Sequence, residues 1–279
     1  MKKILDYYTE QGIRTKVKKG TFKNFPNNIP GIARTIQGLL IHPNYTKNLY
    51  NLDFPKKRIQ DRYLRTLQES LDKIRELNKK PFTEYREPKD RIVNICKHFA
   101  MFMCSVLREK GIPARCRCGF ATYFHNAQFE DHRICEYRNK KAKKWSRVDS
   151  QIGDIEILKY NLNRNQINFT DMPKDIFFTG GALRKLYREG VLSGDLCGFF
   201  AIEGLHGERY IRGNMLRDFF ALNKIEYSYQ EESKLMDMYY KPNKEDLILL
   251  DKIAELTIHI DDNFDELQKF YKEHLEIRP

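Results

Sequence analysis

Residues 95–110, ICKHFAMFMCSVLREK, place Phe99, Ala100, Met103, Val106 and Leu107 at the spacing of one helical face. Asn94 before them predicts an N-cap, and Gly111 after them predicts a C-terminal stop. The segment is more apolar than an ordinary surface helix, so it predicts a central one. The hydrophobic period then changes from about 3.6 to 2. Residues 114–124, 131–137 and 144–149 read as strands, and the polar stretch 138–144 reads as a hairpin connection between the last two. One helix followed by consecutive antiparallel strands predicts an α+β fold.

Helical patterns flank this centre. Ile59, Tyr63, Leu67, Leu71, Ile74 and Leu77 form one apolar stripe, which predicts a single helix over 56–80 closed by Pro81. Residues 1–60 carry repeated Pro, Asn and Gly punctuation and predict short elements joined by turns. Beyond 155 the pattern is helical, with loop-like stretches at 172–181 and at the glycine-rich 190–213. Residues 246–275 predict a long amphipathic helix or a helix pair. No repeat or flexible linker interrupts the chain. One domain over 1–279 is therefore expected, with a core at about 89–155 and helical additions at 1–88 and 156–279.

The compartment follows from the cysteines and the apolar runs. Near the N-terminus the apolar run before Asp6 is only Ile4 and Leu5, far short of a signal-peptide core of about 7–15 residues. Runs such as 99–104 are too short to span a membrane, which takes about 20 residues. The six cysteines therefore read as free thiols in a reducing cytosol, and a cytoplasmic location is expected. Lys and Arg outnumber Asp and Glu by 50 to 38, a formal charge of +12. That excess points to anionic partners, nucleic acid among them, without specifying chemistry.

Three residues combine into a catalytic pattern. Cys96 lies in the first turn of the predicted helix, where unpaired N–H groups and the dipole favour thiolate. His132 lies early in one predicted strand and could take the thiol proton. Asp149 ends the next strand and could fix the tautomer of the histidine. The simplest hairpin, centred between Lys140 and Lys141, sets His132 directly opposite Asp149. Other candidates are weaker. His98 lies about 200° around the helix from Cys96. His125, beside Asn126, and His206 read as loop residues. Cys116, Cys118 and Cys135 read as a buried thiol layer rather than a zinc site, which takes four ligands at recognisable spacing. Polar residues crowd 212–224, where Arg217–Asp218 or Lys224–Glu226 ion pairs are expected, or a wall of the cleft over Cys96.

The stretch from Cys96 to Arg115, with Gly-Ile-Pro-Ala-Arg at 111–115 and Gly119-Phe120 after it, resembles the core of the transglutaminase-like superfamily. His132, Glu136, Trp145 and Asp149 match the second block of that pattern, and Trp145 is the only tryptophan. Asn94 and Ile95 stand where the family often has a glycine and an acidic residue. The 212–226 segment resembles one shared by uncharacterised bacterial members. The resemblance implies a papain-like core, in which a central helix carrying Cys96 packs on an antiparallel sheet carrying His132 and Asp149.

The function expected is cysteine-dependent acyl transfer or amide hydrolysis on a peptide, protein or small amide, through an acyl-enzyme. The Cys96 backbone N–H is the default oxyanion donor. The chemistry requires no cofactor, and no metal site is expected. The alternative is a basic protein that binds nucleic acid or an acidic partner through the hairpin at 138–147, where six of ten residues are cationic.

Overall fold

The structure is a computed structural model that describes residues 2–125, 127–162 and 167–279. In chain order these form α1 (Lys2–Thr9), α2 (Ile29–Gln37), β1 (Leu40–Ile41), α3 (Pro43–Tyr50), α4 (Lys56–Ile59), α5 (Leu67–Leu77), β2 (Ile92–Val93) and α6 (Cys96–Glu109). There follow β3 (Ala114–Ala121), β4 (Phe129–Asn139), β5 (Lys144–Val148), α7 (Asp154–Lys159), β6 (Phe177–Thr179), α8 (Gly180–Arg188), β7 (Cys197–Gly198), α9 (Glu208–Leu222), α10 (Lys244–Ile258) and α11 (Phe264–Glu273). Helix and antiparallel strand are mixed, as the change of period predicts. No helix among the described residues is long and apolar enough to cross a membrane.

The chain divides into two compact units. One comprises Leu5–Cys116 and Ile134–Pro173. Its centre is α6, buried from Cys96 through Arg108. Gly111, at φ +69°, turns the chain out of this helix, a conformation that glycine adopts without steric cost. β1 and β2 pair in parallel, Leu40 with Ile92 and Ile41 with Val93. β5 pairs antiparallel with the C-terminal part of β4, from Cys135↔Val148 to Asn139↔Lys144.

Three expectations change here. The helix cap is Ile95, not Asn94. Asn94 instead donates its amide to the carbonyls of Asp61 (2.8 Å) and Val93 (3.0 Å), so its side chain is committed away from the helix. The stripe over 56–80 is not one helix: α4 and a 3-10 turn end at Tyr63, and α5 begins afresh at Leu67. Thr66 caps α5 with Glu69 in a reciprocal capping box, which restarts the helix in the middle of an unbroken apolar pattern. The hairpin register differs by two residues. Asn139 Oδ1 accepts from the amides of Lys141 and Ala142 (both 3.1 Å), and Lys143 takes φ +48°. This local turn closes the loop on Asn139↔Lys144. Carried past its last pair, the register sets Asp149 opposite Ile134, not His132.

The other unit comprises Arg117–Arg133 and Lys174–Pro279 with the N-terminal residues up to Ile4. β6 pairs antiparallel with β3 over Gly119–Ala121, and β7 pairs in parallel with β4 at Phe129 and Glu130. The predicted loops thus hold two short strands, and α8 occupies the helical stretch between them. α9 is buried from Ile211 through Leu222 and packs on α8 and α10. A Cβ on Gly180 would lie 2.5 Å from the Met215 backbone, so α8 needs glycine where it meets α9. The C-terminal pattern is a helix pair, α10 and α11.

The polar residues of α9 are paired, but with other partners than expected. Asp218 binds Arg117 through two bonds (3.0 and 2.8 Å) and accepts from the Cys118 amide (2.7 Å). Arg217 pairs with Glu232 (2.8 Å). Neighbours in sequence on a helix point about 100° apart, which keeps Arg217 and Asp218 from meeting.

Candidate active site

Cys96 is the first residue of α6, and a strand delivers it. The Asn94 amide extends the β1–β2 pairing by donating to Ile41 O (3.1 Å), and two residues later the helix begins. Ile95 supplies no side-chain cap, so no side chain of the cap residue satisfies the first-turn N–H groups. Lys97 Nζ and His98 Nε2 each lie 2.9 Å from the Leu64 carbonyl. The break between α4 and α5 supplies that acceptor, which fixes the first turn of α6. His98 is therefore a structural residue beside Cys96. Cys96 itself is buried, at 7% exposure.

Asp149 follows β5 in the same unit and is buried. Its amide donates to Phe169 O (2.9 Å), and its Oδ1 accepts from the Gln151 amide (2.9 Å). Ser150 donates to Phe99 O (2.9 Å), which ties the residue after Asp149 to the first turn of α6. The segments that carry Cys96 and Asp149 are thus joined by a buried hydrogen bond.

His132 belongs to the part of β4 in the other unit. It is buried, with Phe124 and Tyr123 edge-on to its ring at centroid distances of 5.0 and 6.0 Å. Next to it, Asp131 accepts from Tyr210, Tyr229 and Asn214, so its carboxylate is saturated with donors. Burial pushes the Glu130 carboxyl up to about 7, against one backbone bond from the Phe200 amide. His125 Nε2 lies 3.6 Å from Glu130, while its neighbour Asn126 lies outside the described residues. His206 stacks at 6.2 Å on Phe200.

The remaining motif residues form a frame. Glu136 binds Arg115 (2.9 Å) with one oxygen and Arg147 (3.1 Å) with the other. The Arg115 guanidinium lies over the Trp145 ring at 4.0 Å, and Tyr8 meets that ring edge-on. Glu136 and Trp145 therefore lock β3, β4 and β5 within this unit. Arg147, one of the six cations of the hairpin, is committed to this pair.

All six cysteines are buried thiols. Cys104 Sγ lies 3.2 Å from Cys135 and 3.4 Å from Cys116, which gives the thiol layer its geometry. Cys118 falls in the other unit, although it shares a strand with Cys116. Burial raises the Cys104 and Cys135 thiols above their ordinary range and Cys197 to about 12, so these sulfurs are poor nucleophiles. No group of three or more possible metal ligands occurs among the described residues.

Sequence reasoning missed a pocket of about 260 Å³ in the unit that holds Cys96 and Asp149. Tyr45, Tyr50, Phe99, Gln151 and Glu156 line it. Gln151 is buried, donates to Tyr45 Oη (3.1 Å), and has no partner for its Oε1. Burial pushes the Glu156 carboxyl to about 7. These residues come from separate segments with no motif spacing, so no sequence signal marks them.

No protein-family model and no curated protein matches the chain. A solved structure named a "putative cysteine protease", from Cytophaga hutchinsonii, is similar at a TM-score of 0.34 and 15% identity, over 56% of this chain and 44% of that one. The chain thus spans less than half the length of that neighbour.

Proposed function

We propose that the protein is a cysteine-dependent acyl transferase or amide hydrolase of the transglutaminase-like kind, with a papain-like core at about 89–155. Cys96 is the nucleophile, His132 the base and then the acid, and Asp149 the orienting group. The Cys96 thiolate attacks an amide carbonyl carbon, and the carbonyl electron pair moves to oxygen. The Cys96 backbone N–H, at the start of α6, is the donor for that oxyanion. His132 passes the thiol proton to the departing amine, and the C–N bond breaks to leave a thioester. Water or a second amine then attacks, gives a proton to His132, and releases Cys96. The substrate is a peptide, protein or small amide, and the chemistry requires no cofactor.

The observation that carries this reading is the placement of Cys96 at the uncapped start of the most buried helix of its unit, sewn by Ser150 to the segment of Asp149. The other five thiols lie inside the protein away from any helix start. The test is iodoacetamide labelling near neutral pH, read site by site by mass spectrometry. Cys96 is expected to be alkylated faster than the other five thiols. His132→Ala is expected to remove that difference. Equal labelling of all six thiols, or a Cys96 rate that ignores His132→Ala, overturns the proposal.

A further inference from the structure

We propose that the cleft between residues 18–25 and 75–83 is a binding site for a compact polyphosphate anion. The cleft has a volume of about 530 Å³ and is lined by Lys18, Lys19, Arg75, Lys79 and Lys80, with no acidic residue in its lining. Five like charges around one cavity repel each other, and a multivalent anion relieves that repulsion. The volume falls in the range of small-molecule sites, about 300–1,000 Å³.

The backbone that carries these cations is held by buried structure. Arg86 is fully buried, and its guanidinium donates to the carbonyls of Lys80 (2.5 Å), Pro81 (2.9 Å) and Glu84 (3.2 Å). It clamps the loop that presents Lys79 and Lys80. Asn78 Oδ1 accepts from the Lys80 amide (3.0 Å) and fixes the start of the same loop. Arg75, in the last turn of α5, lies over the Phe82 ring at 4.8 Å. Its nearest carboxylate, Asp72, is 3.7 Å away and exposed, a weak competitor for a bound phosphate. On the opposite wall, Glu109 accepts from the amides of Gly20 (3.1 Å) and Phe22 (2.8 Å), which anchors the turn that carries Lys18 and Lys19. Glu109 is thereby committed to the backbone behind the cleft. Such preorganisation lowers the entropic cost of gathering cations around an anion.

A nucleic-acid strand fits less well. Strand-binding grooves track several nucleotides and offer aromatic faces for stacking. Here Phe25 is buried, and Arg75 covers Phe82.

The experiment is titration calorimetry of the full chain with inorganic tripolyphosphate at about 50 and about 200 mM salt. Three proteins are compared: wild type, Lys18→Ala/Lys79→Ala, and Lys140→Ala/Lys141→Ala. Both doubles remove the same charge from exposed positions, so folding and net charge are matched. The cleft double is expected to bind about tenfold more weakly or worse and to show a shallower salt dependence. The hairpin double is expected to stay within about twofold of wild type. Equal weakening by both doubles, or no binding by wild type at millimolar tripolyphosphate, overturns the site. Single-stranded RNA that binds through the cleft residues while tripolyphosphate does not also overturns it, in favour of a strand-binding surface.

Discussion

Asp218→Ala should strip a fully buried charge from the unit around α9. Asp218 is fully buried and Arg117 nearly so, and the carboxylate takes two bonds from the guanidinium and one from the Cys118 amide. Removing it leaves Arg117 with the Thr257 carbonyl (3.1 Å) as a neutral partner for a buried cation. Breaking a buried pair from one side costs about 3–5 kcal/mol, or roughly two to four orders of magnitude in the folded-to-unfolded ratio. Asp218→Asn keeps the shape and an acceptor for Cys118, so its cost should be smaller, about 1.5–3 kcal/mol for weakened charge-assisted bonds. The double variant Arg117→Met/Asp218→Leu removes both charges; it takes the acceptor from the Cys118 amide, about 1–3 kcal/mol, and one donor from the Thr257 carbonyl. It should therefore be more stable than Asp218→Ala. The assay is urea unfolding followed by circular dichroism, with hydrogen exchange at the Cys118 amide as the local probe. An Asp218→Ala variant within about 1 kcal/mol of wild type refutes the argument, as does a double variant that costs the sum of its singles.

Further outcomes can be checked in parallel. Glu130 and Glu156 carry pKa values of about 7 against an ordinary 4.5, so between those values the folded protein holds protons that the unfolded chain has released. Their contribution to stability is full below pH 4.5 and falls as pH rises through this window, by at most about 3 kcal/mol per group. Glu130→Gln and Glu156→Gln should each flatten that fall in thermal melts at pH 5 and 8; melts with an unchanged slope refute the burial argument. Gly180→Ala should destabilise by about 1–3 kcal/mol, because its Cβ would strike the Met215 backbone, where no side chain can rotate away. Retention of the wild-type melting temperature would show that α8 and α9 can separate at no cost. Thr66→Ala should lower the urea midpoint by the equivalent of about 1 kcal/mol, through loss of the cap that restarts α5.

The errors of sequence reading have a common origin. The stripe from Ile59 to Leu77 is continuous, yet the helix breaks at 64–66 because the Leu64 carbonyl is the acceptor for Lys97 and His98. That need arises in another segment and leaves no trace in the local period. Asn94 has the chemistry of a cap, but the bonds from its Nδ2 to the Asp61 and Val93 carbonyls hold its side chain away from the helix. The hairpin centre moved because Asn139 and Lys143 built a particular turn, and turn geometry sets register. Asp218 found Arg117, about a hundred residues away, rather than its chain neighbour.

Periodicity by itself determined that a buried helix starts near Cys96 and runs into antiparallel strands, one carrying His132 and the next ending just before Asp149, because alternation and helical spacing are properties of neighbouring residues. The formal charge of +12 likewise follows from composition alone. Tertiary structure decided where that charge gathers, which acid meets which base, and which segments line each pocket. Those choices depend on residues far apart in the chain meeting at distances of a few ångströms, and no local pattern encodes a meeting of that kind.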